Sequence, residues 1–209
     1  MLSDESALYL FRHGFEERNL KTGTPEYRPH EQGGFSLIEA SVSFCLLMVL
    51  AGFALMNLDS IMPRMGANTA MKQTLAQLRT GRESAIAQRR NVQLQFIGTN
   101  QIQLVRQEVP NGTTVLSTLT LQNGDQFQLF GGLPDTPDAF GNTAAISFGG
   151  PAPWTFLSDG TLVDSTSNPV NGTVFLGQPN SPNTARAVTV LGATGRVRDY
   201  TWSGTEWFH

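Results

Sequence analysis

Between residues 35 and 58 the sequence reads FSLIEASVSFCLLMVLAGFALMNL, an apolar run interrupted by a single charge, Glu39. At ~1.5 Å per residue a helix of this length spans ~36 Å, more than the ~30 Å hydrocarbon layer of a bilayer. A soluble core rarely holds so long a helix without a charged face, so the segment reads as a membrane-spanning helix. A cleavable secretory signal has a shorter apolar core, ~7–15 residues, with a small-x-small site after it. Here the small residues, Gly33 and Gly34, stand before the run. A cut at that point would leave the helix on the mature protein.

Glu39 then needs an explanation, because an ionised carboxylate in hydrocarbon costs ~2.5–3.5 kcal/mol on insertion scales. One reading keeps it wet at the interface. The other uses its position: cleavage between Gly34 and Phe35 would create an α-amino group four residues upstream, one helical turn away. That ammonium, or a neighbouring chain's, would neutralise the acid in low dielectric.

Gly34-Phe35-Ser36-Leu37-Ile38-Glu39 followed by an apolar helix resembles the type III signal of type IV prepilins and pseudopilins. The resemblance implies cleavage after Gly34 by a prepilin peptidase, N-methylation of Phe35, and a role for Glu39 in docking the subunit into a growing filament. It also implies a cytoplasmic N-terminus, since Arg18, Lys21 and Arg28 before the helix balance Arg64, Lys72 and Arg79 after it and leave orientation open on charge alone. The leader, residues 1–34, departs from the pattern in being long and in carrying six acidic against four basic side chains.

Past residue 58 the pattern becomes amphipathic. Met71, Leu75, Leu78, Ala85 and Ile86 recur at helical spacing. The basic residues Lys72, Arg79, Arg82, Arg89 and Arg90 fall mostly elsewhere on the wheel, as a solvated face or as subunit contacts. The helix is expected to reach about Arg90, disturbed at Pro63 and at Gly66 and Gly81. From Asn91 the period becomes two. Strands are expected at 92–96 and 102–104 around a Gly98-Thr99-Asn100 turn, then near 114–121, 126–130, 144–148, 154–157, 173–177, 186–191 and 196–202. A Pro/Gly-rich loop covers 131–143, and turns fall at Ser158-Asp159-Gly160, Asn171-Gly172 and Ser203-Gly204. The fold class is therefore α+β, a long stem helix packed on an antiparallel β-sheet domain, which is the pilin-like arrangement the resemblance implies. The divisions are 1–34 (leader), 35–58 (transmembrane half of the stem), 59–90 (amphipathic half) and 91–209 (periplasmic β-domain).

Phe156-Leu157-Ser158-Asp159-Gly160-Thr161, Gly172-Thr173-Val174-Phe175-Leu176, and Arg186-Ala187-Val188-Thr189-Val190 to Gly195-Arg196-Val197-Arg198 resemble the GspH/FimT family. That family holds H-type minor pseudopilins of type II secretion and FimT-type minor pilins. The resemblance implies a structural subunit without catalytic activity, anchored in the inner membrane. Its partners would be other pseudopilins or pilins, the prepilin peptidase, membrane lipid and secreted cargo.

Few side chains are available for chemistry. His13, His30 and His209 are the only histidines and Cys45 the only cysteine, so His/Cys metal sites and histidine-based triads have almost no raw material, and no intramolecular disulfide can form. Cys45 reads as a small buried hydrophobe. No cofactor and no metal are expected. From residue 91 onward eight acidic side chains face Arg106, Arg186, Arg196 and Arg198, which argues against a general nucleic-acid surface.

Arg196 and Arg198 would project from one face of a strand, with Val197 pointing inward. The resemblance to FimT-like pilins associates such a G-R-x-R motif with DNA binding during uptake. The plainer reading pairs the two arginines with Asp199 or Glu206 at a sheet edge. Asp135, Asp138, Asp159 and Asp164 read as turn formers rather than calcium ligands. Trp154, Trp202 and Trp207 read as packing residues rather than a base-stacking platform.

Overall fold

A computed structural model describes residues 36–209, the side chains of 54–60 excepted. The chain divides into two compact units, Met1–Leu47 and Met48–His209. One helix, α1 (Leu37–Gln88), runs from the first into the second. Then follow β1 (Val92–Ile97), β2 (Gln101–Gln107), β3 (Thr113–Thr120), β4 (Gln126–Phe127), β5 (Ile146–Phe148) and β6 (Trp154–Phe156). After β7 (Leu162–Val163) and β8 (Gly172–Gly177), a 3-10 turn at Pro182–Thr184 precedes β9 (Arg186–Leu191), β10 (Arg196–Trp202) and β11 (Trp207–Phe208).

In the first unit the described residues are the start of α1. Its first backbone bond runs from the Ala40 amide to the Ser36 carbonyl, and Glu39 lies in the first turn, where a carboxylate complements the unpaired amides of a helix N-terminus. Leu37, Ile38, Val42, Phe44, Leu46 and Leu47 are all more than half exposed. In the second unit Met48, Val49, Leu50 and Phe53 continue this pattern. Cys45 is free and exposed on the single chain, contrary to the buried position expected of it. Among the described residues no helix is long and apolar enough to cross a membrane; of the expected span, 35–58, residue 35 and the side chains of 54–58 are not described.

Burial of α1 begins at Gly66 and continues through Ala67, Ala70, Met71, Thr74, Leu75, Leu78, Gly81 and Ala85. These steps of three and four place one stripe against the sheets. Ile86, expected on that stripe, is 39% exposed and lies at its margin. The expected disturbances do not break the helix. Pro63 lies inside α1. Gly66 and Gly81 belong to the buried face: a Cβ at Gly81 would stand 3.0 Å from Leu104 Cδ2 and 3.4 Å from Phe156. Gly81 lets helix and sheet approach closely, and Gly66 makes room for Asp125, whose Oδ2 is 3.2 Å from where a Cβ would stand. The helix ends one turn-closure short of Arg90. Arg89 takes φ 51°, and the Arg89 and Arg90 amides reach back to the carbonyls of Ile86 and Ala85, the pairing of a Schellman cap.

Both sheets are antiparallel. The first has the order β3-β2-β1-β6-β7, the second β11-β10-β9-β8-β4, with β5 also pairing with β8. Val92↔Arg106 through Ile97↔Gln101 set the register of the hairpin closed by Gly98-Thr99-Asn100. The stem stripe meets Val92, Leu94, Ile102, Leu104, Phe156 and Leu162 from the first sheet. From the second it meets Val174, Leu176, Val188, Val190 and Val197, all in one core.

Every residue of β8 is buried because both its faces are covered. Val174 and Leu176 look into the main core, while Phe175 joins Phe130, Ala185, Ala187, Tyr200 and Trp207 in a second cluster. The Trp207 indole donates to the Pro134 carbonyl at 3.0 Å, pinning the Pro/Gly-rich loop over that outer face.

Candidate functional site

Gly34 and Phe35, the expected cleavage and methylation positions, lie outside the described residues. Glu39 is exposed in the first turn of α1. Of the remaining candidates, the Gly160 turn and Gly195-Arg196 meet at a place that neither sequence motif marks by itself.

That place is Arg82 of α1. From one side comes the turn between β6 and β7. The Thr161 amide donates to Asp159 Oδ1 at 2.9 Å, and Gly160, at φ 89°, lies under the helix. A Cβ on Gly160 would stand 2.8 Å from Ile86 Cδ1 and 3.1 Å from Arg82 Nε. From the other side comes the turn between β9 and β10. Gly195, at φ 62°, donates its amide to the Leu191 carbonyl at 2.8 Å. A Cβ there would stand 2.5 Å from Arg82 Cδ and would strike the Gly160 carbonyl oxygen. Positive φ and lack of a side chain are both required at these two positions. Two glycine turns thus enclose the stem of one arginine.

Beside this enclosure lies a cleft of about 340 Å³ lined by Arg79, Arg82, Glu83, Gly195, Arg196 and Val197. Arg79 donates weakly to the Val197 carbonyl at 3.4 Å. Arg82 Nε is buried and has no hydrogen-bond partner. Among the described residues Arg79, Arg82 and Arg196 form no ion pair with a carboxylate.

Arg196 and Arg198 flank the buried Val197 as strand alternation requires, but their charges are not equivalent. Arg198 Nη1 donates to Asp138 Oδ1 at 3.1 Å. A hydrogen bond with Tyr200, and then Asp138, hold its guanidinium above the usual arginine range. Neither acid expected to pair with the arginines does so. Asp199 instead accepts from Lys72 at 2.6 Å, and its carbonyl meets the His209 ring at 2.8 Å. Glu206 takes part through its backbone in the Ser203 turn. Arg196 alone of the G-R-x-R pair presents an uncompensated charge.

The aspartates behave as the turn reading requires, with one exception. Asp135 accepts from the Thr136 and Gly141 amides, and Asp164 from those of Thr166 and Asn168. Thr166, through its side chain, holds the Asp164 carboxyl below the ordinary range, and Thr161, first through its backbone amide, holds that of Asp159. Asp138 instead ties its loop to the second sheet, accepting from Thr189 Oγ1 at 2.6 Å as well as from Arg198. Among the described residues no group of three His, Cys, Asp or Glu side chains stands close enough to hold a metal ion.

Trp154 stacks on Phe148 at 4.6 Å and bonds the Gly150 carbonyl, and Trp202 packs on Trp207 at 5.2 Å. All three tryptophans are packing residues.

Sequence reasoning missed Asp125. The residue is 2% exposed, and its carboxylate lies against Gly66 of the stem and leaves Oδ1 unbonded. Burial raises its pKa to about 6, against the weaker pull of Gln178 and of the buried Arg186. Its sequence context, Asn123-Gly124-Asp125, signals a turn and nothing of this burial.

No protein-family model matches the sequence, and no curated protein matches it. Among solved structures, the minor pseudopilin EpsH from the Type 2 Secretion System of Vibrio cholerae is 17% identical. It covers 64% of this chain and 94% of that one, with a TM-score of 0.44. The type IV minor pilin FimU of Pseudomonas aeruginosa is 15% identical over 70% of this chain and 95% of that one, with a TM-score of 0.42. A second EpsH crystal structure is 19% identical over 65% and 94%, with a TM-score of 0.41. These structural neighbours are minor pseudopilins and a minor pilin.

Proposed function

We propose that the chain is a minor pseudopilin, a non-catalytic subunit of a short periplasmic filament that serves type II secretion. One observation carries the reading. Over residues 37–53 the helix leaves ten large apolar side chains between 57% and 87% exposed, with Glu39 as the one charge among them. An apolar surface of this extent does not persist in water; lipid or other helices must cover it. A bilayer covers it before assembly, and neighbouring stems cover it afterwards.

Under this reading a peptidase cuts after Gly34 and Phe35 carries the methylated amine. Glu39 then supplies the opposite charge when a subunit leaves lipid for the filament. In a medium of low dielectric the pair is favoured over two isolated ions, which gives assembly its register. The β-domain lies on the periplasmic side and meets other pseudopilins or cargo.

Exchange of Glu39 for alanine tests this. The variant chain is expected in the membrane fraction at normal level, absent from filaments, and unable to restore secretion in a deletion strain. A variant that enters filaments and secretes like the parent overturns the reading.

A further inference from the structure

We infer that the cleft between the stem helix and the β9–β10 turn is a binding site for one compact oxyanion, a carboxylate or phosphate group. Arg79 and Arg82 enter it from α1 and Arg196 from β10. Among the described residues no carboxylate lies within ion-pair distance of any of the three. The other arginines and lysine touching this sheet are satisfied: Lys72 by Asp199, Arg198 by Asp138, and the buried Arg186 by Asn68 Oδ1 and the Ala185 carbonyl.

The two glycine turns bury Arg82 Nε and hold its side chain in place beside the cleft. Three guanidiniums brought together repel one another. An oxyanion in the cleft offsets that repulsion, and planar guanidinium forks match carboxylate and phosphate oxygens alike.

Charge limits the size of the ligand. Glu83 lines the same cleft, so the site carries a surplus of about two positive charges. Beyond it the domain is acidic, with eight acidic against four basic side chains from residue 91 onward. A long polyanion would leave the cleft and meet like charge. A single anionic group would not.

The test uses the full chain in neutral detergent micelles, followed through the ¹⁵N-labelled arginine Nε–H signals, so it needs no filament or secretion assay. Inorganic phosphate, succinate and a short single-stranded oligonucleotide are titrated separately, with sodium chloride at matched ionic strength as the control. Saturable movement of the Arg82 signal by phosphate or succinate, weakened roughly tenfold by Arg196→Gln or Arg79→Gln, supports the site. The better of the two probes says whether phosphate or carboxylate is the preferred source. Movement that sodium chloride reproduces, or that neither substitution weakens, overturns it. So does saturation by the oligonucleotide alone, which would make the surface a nucleic-acid contact.

Discussion

Arg198 of β10 and Asp138, sixty residues earlier, form an ion pair at 3.1 Å that fastens the loop over the second sheet to its strands. The same carboxylate accepts the Thr189 hydroxyl on β9 at 2.6 Å, so one acid joins a loop to two adjacent strands. Arg198→Gln and Asp138→Asn are therefore expected to lower the urea midpoint by similar amounts, with the double variant little worse than either single. Arg196→Gln, on an open side chain, is expected to leave the midpoint unchanged. Equal losses from Arg196→Gln and Arg198→Gln would contradict the distinction between them.

Gly195 and Gly98 offer a controlled comparison. Both hold φ near 60°, but nothing lies within 4 Å of a Cβ at Gly98, whereas one at Gly195 meets Arg82 and the Gly160 carbonyl. Gly98→Ala is expected to cost about 1 kcal/mol, the backbone term alone. Gly195→Ala adds a steric term and is expected to cost about 2–4 kcal/mol. Chemical denaturation of the two variants measures the difference, and equal costs would mean that the turn does not press on Arg82.

Asp125 gives the stability of the domain a pH signature. Its carboxyl is raised from 3.8 to about 6 by burial, so the folded state binds its proton more tightly than the unfolded state does. Stability from this group is greatest below the unfolded pKa and falls as pH rises through the interval from about 4 to 6. Asp125→Asn is expected to flatten that slope and to raise stability above pH 7 by about 1–2 kcal/mol. Unfolding curves at pH 4.5 and pH 8 that shift in parallel for both proteins would refute the assignment.

Leu78 is fully buried in the core that the stem shares with both sheets. Leu78→Ala is expected to cost about 2–5 kcal/mol. Ile86→Ala, at the exposed margin, is expected to cost less than half as much. Thermal melts of the two variants rank them, and the reverse order would place the buried stripe wrongly.

Much of this architecture could be read from the sequence because its signals are local. The alternation of Val92, Leu94 and Phe96, and the Gly98-Thr99-Asn100 turn, state a hairpin that the register confirms. Leu162–Val163 and Trp207–Phe208 were not legible: two residues carry no period, and these strands exist because β6 and β10 offer them an edge. The helix glycines were misread for a related reason. A glycine's local effect is to weaken a helix, and only the sheet across from Gly81 gives its small size a use.

The candidate site divides in the same way. Arg196 was visible as an exposed strand position, but its neighbours were not. Arg79 and Arg82 reach it from more than a hundred residues away, and Asp138 removes Arg198 from across a loop. The nearest available hint was the density of basic residues between Arg64 and Arg90, where Glu83 is the single acid.

The intact mass of the chain recovered from assembled filaments tests the central claim most directly. Cleavage after Gly34 predicts residues 35–209 carrying one methyl group. A filament subunit that retains all 209 residues would contradict the account, because no terminal amine would then stand one helical turn from Glu39.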